Sequence, residues 1–98
     1  MILKEILSEI ETTDKAVVKK LQNGKEQQVL AIGLQKNAIL KEHKTDIPAK
    51  LYVLTGEVVY RAGGTESIVK QFEEQEINMG DLHSVKAHEN SLFLVIKG

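Results

Sequence analysis

The chain has 98 residues, 42% hydrophobic and 28% charged, with 13 basic and 14 acidic side chains and a net charge of −1. That is enough for one domain with its own core, and it carries no field of either sign to draw nucleic acid or an anionic membrane. There is no cysteine, which excludes disulfides, thiolate metal sites and a cysteine nucleophile and makes a cytoplasmic setting the expectation.

At the amino terminus Ile2, Leu3, Ile6, Leu7 and Ile10 share one helical face, with Lys4, Glu5, Ser8 and Glu9 opposite. This spacing predicts a short amphipathic helix over residues 2–10 that lids the domain's own core. The run is broken by charge after three residues and is too short to be a signal peptide or a membrane span. The polar stretch 11–14 ends this segment, so residues 1–14 read as a helical lead-in and 15–98 as one domain.

From there the pattern is β. Residues 16–21 lead to Asn23-Gly24, a hairpin signal. Residues 28–34 are apolar with Gly33 inside, which suits a strand covered on both faces or one with a bulge. A turn at Lys36-Asn37 precedes strand 38–43, and the loop 44–48 ends at the single proline. Strands 49–55 and 57–61 follow, then a turn over Ala62 to Thr65, then strands 66–72, 82–87 and 91–97. About eight short strands at regular spacing predict an all-β sandwich or barrel. The run Glu73-Glu74-Gln75-Glu76 reads as a solvated turn.

Alternation assigns faces. In 49–55 one face carries Ala49, Leu51 and Val53, the other Lys50, Tyr52 and Leu54. In the downstream strand His83, Val85 and Ala87 oppose Ser84, Lys86 and His88. With the lysines outside, His83 points inward, where an imidazole needs a hydrogen-bond partner, a water or a metal, and His88 is a surface residue. For His43 the period leaves both directions open. His83 and Ser84 face opposite sides and cannot form a base–nucleophile pair. Gly63-Gly64 has no following helix to make a phosphate loop, and Lys19-Lys20 is too short for a nucleic-acid patch.

On these residues the chain resembles the cupin superfamily of small jelly-roll barrels, over residues 24–98. The first cupin motif runs glycine, five residues, His-x-His, three or four residues, glutamate, six residues, glycine. It falls on Asn37, His43, Thr45, Ala49 and Gly56. The second runs glycine, five residues, proline, one residue, glycine, two residues, histidine, and falls on Phe72, Asn78, Gly80 and His83. Neither needs an insertion or deletion. The stretch from Val85 to Ile96 is similar to the family's closing strand pair.

The resemblance implies a metal held by three histidines and a glutamate. Here His43 and His83 stand at two of those positions and Thr45 and Ala49 at the others, with Leu51, Val53 and Val85 lining the same pocket and Gly56 and Gly80 setting its turns. Glu42, Asp81 or one of Glu73, Glu74 and Glu76 are the carboxylates available as a third ligand. The expected function is a non-catalytic small-ligand-binding or structural module, with at most a weakly bound divalent metal (zinc, nickel, iron or manganese). The alternatives are a metal-dependent oxygenase or isomerase working from the two histidines, and a sensor in which a small ligand alters a dimer. A homodimer with the amino-terminal segment near its interface is the expected assembly, with no nucleic-acid or membrane partner.

Overall fold

The structure, a computed structural model, describes residues 2–98. One helix, α1 (Ile2–Glu9), precedes nine strands: β1 (Val17–Asn23), β2 (Gln28–Leu34), β3 (Ile39–His43), β4 (Ala49–Thr55), β5 (Glu57–Ala62), β6 (Thr65–Lys70), β7 (Glu74–Ile77), β8 (His83–Ala87) and β9 (Ser91–Lys97). They form a five-stranded sheet in the order β1-β2-β9-β4-β7 and a four-stranded sheet in the order β3-β8-β5-β6. All the pairings are antiparallel. The sheets face each other across one core in a jelly-roll barrel. No helix among the described residues is long and apolar enough to cross a membrane.

The core is built by alternation. Ala49, Leu51 and Val53 are buried while Lys50 is exposed, and His83, Val85 and Ala87 are buried while Lys86 is exposed. Phe93, Leu34, Val58 and Val69 fill the same space from the other strands. Each such side chain contributes about 1.5–3 kcal/mol when fully buried.

Helix α1 does pack on its own domain, but not over the barrel core. It lies on the outer face of the five-stranded sheet, where Ile6, Ile10, Val17, Ala31 and Leu92 make a second, separate cluster. This explains the apolar character of β2: Ile32 and Leu34 enter the barrel core, and Ala31 and Gly33 run beneath the helix. The first alternative for this strand, cover on both faces, is the one adopted.

Three local expectations are corrected. Asn23 ends β1 paired with Gln28, and the loop spans 24–27, closed by the Gly24 N–H donating to the Gln27 carbonyl at 2.9 Å. A bulge at Leu21 absorbs one residue and carries the strand past the Asn-Gly signal. The acidic run 73–76 is mostly strand β7, paired to β4 at the sheet edge. Its charge concealed it, because an edge strand this short needs only Gln75 and Ile77 turned inward, half-buried and buried. The strand predicted over 66–72 stops at Lys70, because Phe72 has a φ of +66° and belongs to the following turn.

Candidate functional site

The two motifs meet at one end of the barrel. In the first, Gly56 turns at φ +91°, and a β-carbon there would run into the Ser91 hydroxyl and stand 2.6 Å from the Asn90 carbonyl oxygen. In the second, Gly80 turns at φ +81° and donates its N–H to the Thr45 carbonyl at 3.0 Å. That bond ties the β7–β8 loop to the β3–β4 loop.

The motif positions where this chain lacks glycine keep glycine's backbone. Asn37 has φ +73° and Phe72 has φ +66°, and no other non-glycine residue among those described has a positive φ. So all four motif glycine positions, Asn37, Gly56, Phe72 and Gly80, lie in the left-handed region. The register assigned from sequence is therefore matched by the backbone itself, including where the side chains differ.

His43 and His83 come together. In the β3–β8 ladder Leu40 opposes Val85 and His43 opposes His83, so Lys41 and Glu42 both lie against Ser84. In an unbroken ladder the inward phase set by Leu40 would have continued to Glu42. The bulge reverses it and brings His43 to His83. The Nε2 atoms are 3.1 Å apart and the ring centroids 4.2 Å. The His43 Nδ1 contacts the Lys41 carbonyl at 2.9 Å, and the His83 Nδ1 the Asp81 carbonyl at 3.2 Å. A carbonyl only accepts, so both Nδ1 atoms carry their hydrogens and both Nε2 atoms bring lone pairs to the contact. Their meeting is a hydrogen bond only with one proton beyond the neutral count.

The two rings differ in environment. His83 is 3% exposed and His43 is exposed. His83 is held below the ordinary histidine range, first by burial. The hydrogen bond to the Asp81 carbonyl opposes this, nearby His43 and Lys97 add to it, and the Asp81 carboxylate opposes it weakly. Tyr60, buried on β5 with its ring 5.7 Å from His83, has its phenol raised by burial and then by Asp81.

The space in front of the pair is a cavity of about 30 Å³, with Thr45, Ala49, Leu51, Val85 and Lys97 in its wall beside the histidines. Val53 is buried in the core but does not line it. A water needs roughly 10–15 Å³ measured with a water-sized probe, so the cavity admits one or two small groups and no drug-sized ligand. The Thr45 hydroxyl donates to the Ile47 carbonyl at 2.9 Å, and Ala49 has no donor atom to offer.

Lys97 and Tyr60 were not found from sequence. Lys97 shares the inward phase of β9 with Phe93 and Val95, but Leu92, Leu94 and Ile96 make the other phase equally apolar. Alternation then gives no sign for which face the lysine takes.

The carboxylates named for a third metal ligand lie elsewhere. Glu42 faces a groove on the outside of the smaller sheet. Asp81, Glu73, Glu74 and Glu76 are exposed, and Glu73 accepts the Lys70 N–H at 2.8 Å. Among the described residues no three histidine, cysteine, aspartate or glutamate side chains gather to hold a metal ion. The histidine pair alone would suit two neighbouring ligand positions: with metal–nitrogen bonds of about 2.0–2.1 Å, a 3.1 Å separation subtends about 95–100°. The rest of the set does not fit, because it offers no third donor and adds a lysine beside the same space.

No family model matches the chain, and no curated protein matches it. Solved structures do. A cupin superfamily protein from Desulfitobacterium hafniense superposes with a TM-score of 0.82 at 14% identity, over 93% of this chain and 84% of that one. An RmlC-like cupin from Shewanella frigidimarina gives 0.79 at 14%, over 88% and 78%. A Cupin 2 conserved barrel domain protein from Leptotrichia buccalis gives 0.79 at 30% identity, over 84% of this chain and 40% of its own length. With nine strands in jelly-roll order and all four glycine positions of the two motifs left-handed, this chain has the fold of the cupin superfamily.

Proposed function

We propose that this chain is a non-catalytic cupin module that binds a compact ligand at the His43–His83 end of its barrel. The observation that carries the reading is the state of the two missing ligand positions. Thr45 spends its hydroxyl on the Ile47 carbonyl, and Ala49 has nothing to coordinate with. With two imidazoles as the whole donor set, zinc, nickel, iron or manganese is held weakly. A cavity of about 30 Å³ further supports a ligand of very few atoms over an organic substrate. Elemental analysis of protein purified without a histidine tag tests this. Metal far below one equivalent is expected, and near-stoichiometric metal would overturn the reading.

A second reading, a metal-dependent enzyme of the oxygenase or isomerase type, is favoured by one observation, the 3.1 Å approach of the two Nε2 atoms. It requires a third ligand from outside the described side chains, such as a substrate.

We also infer a homodimer formed along β1. That strand is an edge of the larger sheet, and edges of this kind need cover. Val18 and Leu21 are exposed on it, and Leu7 is exposed on α1, which packs against β1. The interface would therefore include the amino-terminal segment. The absence of cysteine fits a reducing compartment, and we assign the protein to the cytoplasm.

A further inference from the structure

We propose that the end of the barrel where a cupin would hold its metal is, in this chain, a site for a compact monoanion, either a carboxylate group or a halide-sized ion, gathered by Lys97 with the His43–His83 pair. The inference rests on the module reading above and names its ligand class.

The polarity of the cavity wall carries it. Lys97 sits on the inward phase of β9 and is paired with Ala49 across the ladder, next to the position where the motif calls for a glutamate. A carboxylate position has thus become a methyl group with an ammonium-bearing side chain beside it. The remaining polar side chains in the wall are His43, His83 and Thr45, and no acid lines the cavity. Asp81, the carboxylate that bears on His83, is exposed and outside the wall. Lys97 has no ion-pair partner among the described residues within 4.0 Å.

A half-buried lysine without a counter-charge, in a wall that holds no acid, favours an anion over a cation. The surrounding wall is apolar, from Leu51, Val85 and Phe93, so the charge is poorly screened there. The volume sets the ligand's size. About 30 Å³ takes a halide or the three heavy atoms of formate. A tetrahedral oxyanion of five heavy atoms is larger than either. Exposure of His43 leaves the cavity open on one side, so a longer carboxylic acid would enter head first with its tail in water.

The test is histidine side-chain nitrogen NMR on the ¹⁵N-labelled chain at fixed pH. Sodium formate and sodium chloride are titrated separately, with sodium sulfate keeping ionic strength constant. Saturable movement of the His83 and His43 resonances is expected, and whether formate or chloride causes it identifies a carboxylate or a halide site. Lys97→Met should weaken that binding at least about tenfold, as loss of one charge-assisted contact does. Lys97→Arg should keep it, and Lys86→Met, on the outside of the other sheet, should leave it unchanged. Absence of saturation by either anion in the native protein, or equal affinity in Lys97→Met, would overturn the proposal. A parallel zinc titration separates the two inferences. Tight one-to-one zinc binding would defeat the module reading, whereas weak zinc binding without anion binding would defeat the anion site alone.

Discussion

Gly33 on β2 lies directly beneath Ile6 of α1, with no room between them for a β-carbon; an added methyl would collide with the Ile6 side chain and stand 2.7 Å from that of Ile10. The glycine is what allows the helix to sit flat on the sheet. Gly33→Ala should destabilise the protein by about 1–3 kcal/mol, the range for overpacking a well-filled site. Ile6→Ala should cost about 2–5 kcal/mol on its own. Because Ile6→Ala frees space that the methyl of Gly33→Ala can take, the pair together should cost less than the sum. Urea denaturation of the four proteins checks this, and strict additivity would mean that the helix is not seated on Gly33.

Phe72 is 82% exposed and held at φ +66°. Its N–H donates to the Val53 carbonyl at 2.7 Å, and the neighbouring Glu73 N–H to the Lys70 carbonyl at 3.0 Å, so the turn cannot relax without losing bonds. A side chain in this region costs roughly 1–2 kcal/mol, partly offset by the entropy a glycine would lose. Phe72→Gly should therefore raise stability by about 0.5–1 kcal/mol. Asn37→Gly, at the other such position, should be close to neutral because asparagine tolerates this backbone. Thermal melts of both variants would decide it, and a fall in stability for Phe72→Gly would contradict the strain argument.

These two turns also mark how far the sequence could be read. Strand phases were legible wherever one face was polar, as with Lys50 and Lys86, and that was enough to turn His83 inward and His88 outward, where it meets Glu57 at 3.0 Å. Phase failed where both faces were apolar, which hid Lys97. It failed again where a bulge broke the period, which left His43 undecided. Strand β7 was missed because an edge strand with acids on its outer face has the composition of a loop. No local pattern reveals a contact such as that of Tyr60 with His83, because it depends on how two strands of one sheet line up.

The depressed pKa of His83 makes stability depend on pH. Unfolded, its imidazole takes up a proton near the ordinary value of about 6.5; folded, it resists until a lower pH. Between those values the unfolded chain binds more protons, so the contribution is complete above about pH 6.5 and is lost as pH falls through the folded value. Urea midpoints at pH 8 and pH 5 should differ in the native protein, and His83→Asn should reduce that difference. An unchanged difference would assign the pH dependence to other groups.

Metal affinity offers a direct constructive test. The native chain should bind zinc or nickel only weakly in isothermal titration. His83→Ala should remove that binding and His88→Ala should not. Thr45→His combined with Ala49→Glu should restore a four-ligand set and raise affinity by orders of magnitude, since zinc sites gain most from completing their ligands. No gain in the double variant would mean that these positions do not converge on the histidine pair.

For the association along β1, light scattering at micromolar concentration should give twice the chain mass of 10.9 kDa. Val18→Lys, which places a charge on the exposed edge, should shift the protein toward the monomer. A monomeric native protein, or a dimer indifferent to Val18→Lys, would place the interface elsewhere or dispense with it.

The bulge at Lys41 and Glu42 makes the chemistry of the barrel's end a question of parity. How Lys41 and Glu42 pair with the partner strand decides whether a base or an acid is presented to His83. Removing either Lys41 or Glu42 would straighten the strand and still leave His43 opposite His83. Keeping both residues but pairing them one to one would turn His43 to solvent and put the Glu42 carboxylate in its place. The same letters, counted differently, would then write an acid–base couple in place of two imidazoles, with no change in sequence or chain length.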